Sequence, residues 1–173
     1  MFATAEDASS IEEAQVVGDE VEVEAEQVAS SQPRANFHWA ILPRLEKYFA
    51  QPLVRRSRVQ WATPEDDVLL SCQVSKQFDK GNMDYWFGLK RTTRESLQKH
   101  QNSFLAFGLG SPQRVVLLPY AFLNPYLDDF FTSPDNKGGI LHWHVRFKDT
   151  ERGVALLANR DRNPIDVTEY LLS

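Results

Sequence analysis

Residues 68–101, VLLSCQVSKQFDKGNMDYWFGLKRTTRESLQKHQ, decide the fold class because two strand patterns and a helix pattern follow one another without interruption. Residues 68–78 begin with an apolar run and then alternate, and residues 83–89 are rich in aromatic side chains; both patterns are typical of β-strands. Gly81 and Asn82 tolerate positive φ, so residues 79–82 predict a hairpin turn between the two strands. Thr92 and Glu95 form a capping-box pattern, which predicts a helix over residues 92–101.

The flanking sequence continues this interleaving of helices and strands. Apolar residues Phe37, Ile41 and Leu45 predict a helix over residues 37–50, in which Pro43 either delays the start or introduces a kink. Strands are predicted over residues 58–62, 104–109, 114–118, 140–147 and 154–158, and helices over residues 120–131 and 166–172. The order α-βββ-α-ββ-α-ββ-α indicates an α/β (α+β) fold, with about four helices packed on one mixed sheet of about seven strands.

The charged residues divide the chain into two parts. Residues 1–34 hold nine acidic residues and one basic residue, a net charge of −8, whereas residues 35–173 hold fifteen acidic and eighteen basic residues, a net charge of +3. An acidic segment with few aromatic residues does not bury enough apolar surface to offset the entropy of ordering. We therefore predict a disordered acidic tail and linker over residues 1–35 and a single globular domain over residues 36–173.

The composition narrows the class of protein. The chain of 173 residues is 42% hydrophobic and 25% charged, which is typical of one soluble domain. No run approaches the ~18 apolar residues of a membrane-spanning helix, and residues 1–7 lack the basic and apolar regions of a secretory signal. Cys72 is the single cysteine, which excludes an intrachain disulfide. We expect a cytoplasmic protein with no membrane partner, and no motif in the sequence indicates a cofactor.

Basic residues interleave with aromatic residues in the central part of the chain. Lysine and arginine side chains contact phosphates, and aromatic rings stack on bases. Tyr85 and Phe87 point to one side of their predicted strand and Trp86 to the other, so at least one side is core. The alternative is a solvated basic face beside a buried strand. The candidate nucleic-acid-binding residues are Arg55, Arg56, Arg58, Lys76, Lys90, Arg91 and Arg94.

Two histidines give a candidate metal site. His142 and His144 stand two positions apart on a predicted strand, so both side chains face the same side. Two imidazoles ligate zinc or iron when a third histidine or a carboxylate completes the set. The order of residues brings no third ligand to them. The alternative is a sheet surface that carries two histidines, with Trp143 in the core.

The acidic run at residues 65–67 gives the candidate catalytic groups. Glu65, Asp66 and Asp67 are residue types that serve as paired carboxylates for magnesium binding or for general acid–base chemistry. The alternative is a solvated turn, because aspartate favours turns.

The order of a helix, a three-stranded meander, a second helix and a further strand resembles restriction-endonuclease-like domains over residues 37–118. The resemblance implies that Asp66 or Asp67, with a D/E-x-K motif, holds a magnesium ion. Gly88-Leu89-Lys90 stands at the motif, with Gly88 in place of its acid, so the resemblance implies a degenerate member that binds without cleaving. The strings YWFG (85–88), LLP (117–119) and HWH (142–144) are also similar to small bacterial α/β domains of unknown function.

These observations lead to three hypotheses about function. The preferred one is a non-catalytic binding module for DNA or RNA, whose mildly basic domain is masked by the acidic tail. The first alternative is a protein-interaction or structural domain of a larger assembly, bound to a protein partner through residues 1–34. The second alternative is a magnesium-dependent nuclease that uses Asp66 or Asp67 with Lys90.

Overall fold

The fold is described by a computed structural model that covers residues 34–78, 83–158 and 162–173. The predicted acidic tail lies outside these residues except at its end, where Arg34 begins the first helix. The helices in this part of the chain are α1 (Arg34–Phe49), α2 (Arg91–Gln98), α3 (Tyr120–Leu123) and two 3₁₀ turns, Asn124–Asp129 and Thr168–Tyr170. The strands are β1 (Val54–Arg55), β2 (Gln60–Ala62), β3 (Leu69–Ser75), β4 (Tyr85–Lys90), β5 (Ser103–Leu109), β6 (Val115–Pro119), β7 (Thr132–Pro134), β8 (Ile140–Thr150), β9 (Gly153–Leu157) and β10 (Ile165–Asp166).

The strands form two sheets, so the prediction of one sheet with about seven strands is wrong. The first sheet has the order β1-β2-β3-β5-β6, and the second has the order β10-β9-β8-β4, with β7 also paired to β8. β3 and β5 run parallel, whereas the other neighbours in the first sheet are antiparallel. The first sheet is therefore mixed. The α+β class is confirmed, with ten strands and three α-helices among the described residues.

The predicted hairpin between the second and third predicted strands is also wrong. β3 pairs with β2 and β5 in the first sheet, whereas β4 pairs with β8 in the second. Four consecutive buried residues at the start of β3 are typical of a central strand covered on both faces. Side chains of β3 nevertheless hold β4 nearby: Gln73 Nε2 donates to the Gly88 carbonyl at 3.3 Å, and the Trp86 N–H donates to Ser75 Oγ at 3.3 Å. The predicted turn at residues 79–82 lies outside the described residues.

Apolar side chains pack in two layers, one on each face of the first sheet. α1 packs on one face, where Ile41 and Leu45 are fully buried against Leu70. The second sheet packs on the other face, and Phe87, Phe107 and Phe147 meet there with ring centroids 4.8–5.8 Å apart. The order of layers is therefore α1, first sheet, second sheet. It leaves the far face of the second sheet turned away from the core.

A polar network joins the two sheets at one end. The Arg114 guanidinium, which precedes β6, lies 2.7 Å from a carboxylate oxygen of Asp149 on β8. The Tyr85 hydroxyl on β4 donates to the same carboxylate at 3.2 Å. Burial and the neighbouring Asp149 charge raise the pKa of Tyr85, so its hydroxyl keeps its proton and remains a donor. The network therefore ties β4, β6 and β8 together.

Several predicted element boundaries differ from the structure for identifiable reasons. β4 continues into α2 without a turn, so Lys90 is the N-cap and the predicted capping box of Thr92 is not formed. The helix predicted over residues 120–131 is an α-helix only to Leu123 and then becomes 3₁₀, with Pro125 in its first turn. The helix predicted over residues 166–172 is a single 3₁₀ turn, and Leu172 beyond it donates its N–H to the Val115 carbonyl of β6. The two strands predicted over residues 140–147 and 154–158 are confirmed as β8 and β9, which pair as an antiparallel hairpin.

Candidate functional site

The acidic turn between β2 and β3 lies near one end of α2, and Lys90 lies at the other end. The Asp66 carboxylate is 3.3 Å from Nε2 of His100, two residues beyond the end of α2. Lys90 directly precedes the first turn of α2. A helix of eight residues is about 12 Å long. The structure therefore does not bring Asp66 and Lys90 together as a magnesium-dependent nuclease needs. The three-stranded meander that suggested this chemistry is not formed either.

Asp67 is engaged in the turn itself. Its carboxylate accepts hydrogen bonds from the Thr63 hydroxyl and, at 3.3 Å, from the Gln51 side-chain amide. These hydrogen bonds, that of Thr63 above all, hold the pKa of Asp67 below its ordinary value of 3.8. Thr63 Oγ1 also accepts the Val68 N–H at 3.1 Å. The contacts of Asp67 are those of a residue that stabilises the turn.

The arginine run at residues 55–58 lies at the edge of the first sheet. Arg55 is in β1, and Arg56 and Arg58 follow in the loop to β2; all three are exposed. Arg55 Nε donates to the Ser57 carbonyl at 2.9 Å, and Arg56 Nη2 is 3.4 Å from an Asp66 oxygen. These three candidates therefore belong to a different sheet from Lys90.

The candidates around β4 and α2 differ in what their side chains contact. Arg91 is 3.1 Å from the Asp135 carboxylate, and the Arg94 guanidinium lies 4.6 Å from the Trp143 ring centroid. The Lys76 ammonium lies 5.2 Å from the centroid of the Phe78 ring. Lys90 is exposed at the end of β4. Lys90 is the candidate that borders the far face of the second sheet.

That far face, called here the outer face, carries aromatic and basic side chains together. Alternate residues of β4 are buried in the core between the sheets, so the remaining positions face the other way. In the register, Trp86 lies opposite Arg146, Gly88 opposite His144 and Lys90 opposite His142. The outer face is defined by Trp86, Gly88 and Lys90 on β4, by His142, His144, Arg146 and Lys148 on β8, and by Phe131 and Ser133 beside β8.

The two histidines lie on this face side by side, as their spacing predicts. His144 Nε2 is 2.7 Å from Ser133 Oγ, and the His144 ring meets Trp86 edge to face with centroids 5.3 Å apart. His142 is 9% exposed. Among the described residues, no three histidine, cysteine, aspartate or glutamate side chains gather where they would hold a metal ion. His144 thus packs against Trp86 on the outer face, and His142 beside it is buried.

Gly88 lets the rings on the outer face lie close to the sheet. A Cβ atom added at Gly88 would lie 3.3 Å from Trp86 Cη2 and 3.3 Å from His142 Cδ2, closer than most such contacts in proteins. Glycine removes this contact and permits both rings to approach the backbone of β4. An acid at position 88, as in a D/E-x-K motif, would therefore displace the two rings.

Arg146 is held in place at the centre of the outer face. Its guanidinium lies 4.5 Å from the centroid of the Phe131 ring, and its Nη2 donates to the Ala158 carbonyl at 3.1 Å. Phe131 is 37% exposed, and Lys148, two positions beyond Arg146, is exposed. The face thus presents rings in the middle and lysine ammonium groups at both ends. An anionic ligand with planar groups is chemically complementary to it.

The sequence predictions missed Phe131, Arg146 and Lys148 as members of this surface. Residues 142, 144, 146 and 148 share one side of a predicted strand, so strand alternation alone was sufficient to add Arg146 and Lys148 to the histidine pair. Phe131 was placed at the end of a predicted helix, and no sequence signal places it beside β8. The three predicted candidates at residues 55–58 lie at the edge of the first sheet and not on this surface.

No protein-family model, no curated protein and no solved structure matches the chain. Among the helices of the described residues, none combines the length and the apolar character required to cross a bilayer.

Proposed function

We propose that this chain is a non-catalytic binding module whose ligand is a nucleic acid, bound on the outer face of the second sheet. The observation that carries the proposal is the presence of Trp86, Phe131 and Arg146 on one sheet face, with Lys90 and Lys148 at its two ends. Aromatic rings stack on bases, and lysine and arginine contact phosphates. The net charge of +3 in residues 35–173 has the sign that a polyanion requires.

We propose further that the acidic residues of the N-terminal segment compete with the nucleic acid for this face. Residues 1–34 carry a net charge of −8, opposite in sign to the rest of the chain. At physiological ionic strength, attraction between exposed charges extends over about 8 Å, so competition requires the segment to come close to the face. Neutralising Glu20, Glu22, Glu24 and Glu26 with glutamine in the full chain removes four of these charges. It is expected to tighten nucleic-acid binding at low salt.

The test is fluorescence anisotropy of the full chain against single-stranded DNA, single-stranded RNA and duplex DNA. Measurements at about 50 mM and 200 mM salt separate phosphate contacts from other binding, because phosphate contacts weaken as salt rises. We expect binding that falls with salt and is tighter in the variant with four glutamines. Absence of binding to all three ligands contradicts the proposed function.

A protein-interaction domain is the second candidate function. Ile140 and Leu141, at the start of β8, are 37% and 38% exposed, and Phe131 beside β8 is equally exposed. Neighbouring exposed apolar side chains, here Ile140 and Leu141 at one end of β8, are a feature of protein interfaces. This candidate predicts no affinity for nucleic acid, and that Ile140→Asp with Leu141→Asp abolishes a specific protein contact.

A further inference from the structure

We infer that the outer face selects single-stranded over double-stranded nucleic acid. This inference rests on the proposed function and specifies its ligand. It depends on where the rings lie in the sheet, not on the net charge.

The rings and the central guanidinium occupy three neighbouring positions across the sheet. Trp86 is on β4, Arg146 and His144 are on β8, and Phe131 lies beside β8 on the side away from β4, where its carbonyl accepts the His144 N–H at 2.8 Å. The major groove of duplex DNA admits a helix or a two-stranded ribbon. A surface whose contacts extend across three strand positions is wider than such a ribbon. It therefore cannot present all of these side chains to base edges in one groove.

The width of the outer face does not limit its contacts with unpaired bases in this way. In a single strand the flat faces of the bases are available for stacking, whereas in a duplex they are covered by neighbouring base pairs. The Trp86 ring packs close to Gly88 and meets His144 edge to face, so its position on the sheet is set before a ligand arrives. Phe131 is likewise fixed by the Arg146 guanidinium, which covers one face of its ring, while 37% of the residue remains exposed. Preset rings lower the entropy lost on binding.

The charges are arranged to follow a strand that passes over the rings. Lys90 and Lys148 are exposed at opposite ends of the outer face, with the rings between them. A nucleic acid single strand that stacks on Trp86 and Phe131 thus has a lysine near each end of the bound segment. The expected order along the face is phosphate contact, stacked bases, phosphate contact.

The experiment compares single-stranded and duplex DNA of one sequence by fluorescence anisotropy with the full chain. Phe131→Ala removes a ring of the outer face that is 37% exposed. Tyr48→Ala is the control, since it removes a ring that is 59% exposed on α1, on the opposite side of the layers. Loss of one base stack weakens binding by about 5- to 150-fold. We expect Phe131→Ala to weaken single-strand binding within that range and to leave duplex binding unchanged, and Tyr48→Ala to leave both unchanged.

Two substitutions of Trp86 test the other ring of the outer face. Trp86→Phe keeps a ring at that position, and Trp86→Leu removes the ring but keeps an apolar side chain against Gly88. We expect Trp86→Phe to bind single strands nearly as the wild type does and Trp86→Leu to bind them more weakly. Equal affinity of the wild type for single strands and duplex, with no effect of Phe131→Ala or Trp86→Leu, overturns the inference and leaves the proposed function standing. Absence of binding to every nucleic acid overturns both.

Discussion

Replacing the two exposed lysines of the outer face is expected to change the salt dependence of nucleic-acid binding by a defined amount. Lys90 and Lys148 lie at opposite ends of the face, on β4 and β8. Each phosphate contact with a single strand contributes about 0.7 to the slope of log K against log salt concentration. Lys90→Gln with Lys148→Gln therefore lowers the magnitude of that slope by about 1.4 if each lysine contacts one phosphate.

The assay is a salt titration of anisotropy with a labelled single strand of about 16 nucleotides, long enough for one binding site. Lys47→Gln with Lys99→Gln is the matched control, since both lysines are exposed, lie outside the outer face and change the net charge equally. We expect the control to keep the wild-type slope within about 0.3, because its charges do not contact phosphates. An equal change of slope in both double variants would show that net charge alone governs binding. That result would refute the assignment of contacts to this face.

Three further predictions concern single positions. Gly88→Ala places a methyl group 3.3 Å from Trp86 Cη2, so we expect the indole to shift by a few tenths of an ångström and its fluorescence emission to change, and an unchanged emission spectrum would show that Gly88 does not set the position of the ring. Tyr85→Phe removes the hydroxyl that donates to Asp149, and urea denaturation should show a loss of about 1–2 kcal/mol of stability; an unchanged midpoint would argue that the network does not join the sheets. The pKa of Asp135 is held below 3.8 chiefly by hydrogen bonds from the backbone N–H groups of residues 137 and 139, so its stabilising contribution is complete above that value and is lost as pH falls through the lowered pKa. The stability difference between wild type and Asp135→Ala should therefore be constant above about pH 5 and shrink below 3.8, and a difference that persists in acid would contradict this.

The parts of the fold that follow from local patterns were predictable from the sequence. The alternation over residues 140–147 is long enough to identify β8, and it correctly places Trp143 in the core. The aromatic run at residues 85–87 divides between the two sides of β4 as predicted, and the structure shows that the side of Tyr85 and Phe87 is the core. In both strands every second side chain is buried, and this alternation is visible in the sequence.

The pairing of the strands was not predictable in the same way. The turn-like residues 79–82 favour a hairpin, but β4 pairs with β8, more than fifty residues later in the chain. Local turn chemistry does not encode such a distant partner. Leu69 and Leu70 are buried on opposite faces of β3 by the second sheet and by α1, so a layer of distant residues covers each face. The strands β1, β7 and β10 have two or three residues each, too few to show alternation.

The candidate site was predictable only in part for the same reason. The spacing of His142 and His144 predicts that they share a face, and the structure confirms it. Which residues of β4 lie beside them depends on the register between distant strands, so Trp86 and Gly88 were not associated with the histidines. Three of the candidate arginines fall within residues 55–58, yet this cluster lies at the edge of the first sheet. A dense run of basic residues in the sequence therefore does not show which face of the fold carries the candidate binding site.

The central claim, that the outer face binds nucleic acid, is tested most directly by nuclear magnetic resonance of the tryptophan indole N–H groups during titration with a single-stranded oligonucleotide. Trp86 lies on the outer face, whereas Trp143, on the opposite side of the same sheet, is 4% exposed. The Trp86→Phe variant assigns the Trp86 signal. The account predicts that the Trp86 signal shifts progressively with added oligonucleotide while the Trp143 signal moves little. Binding that shifts neither signal, or that shifts Trp143 and leaves Trp86 in place, would contradict it.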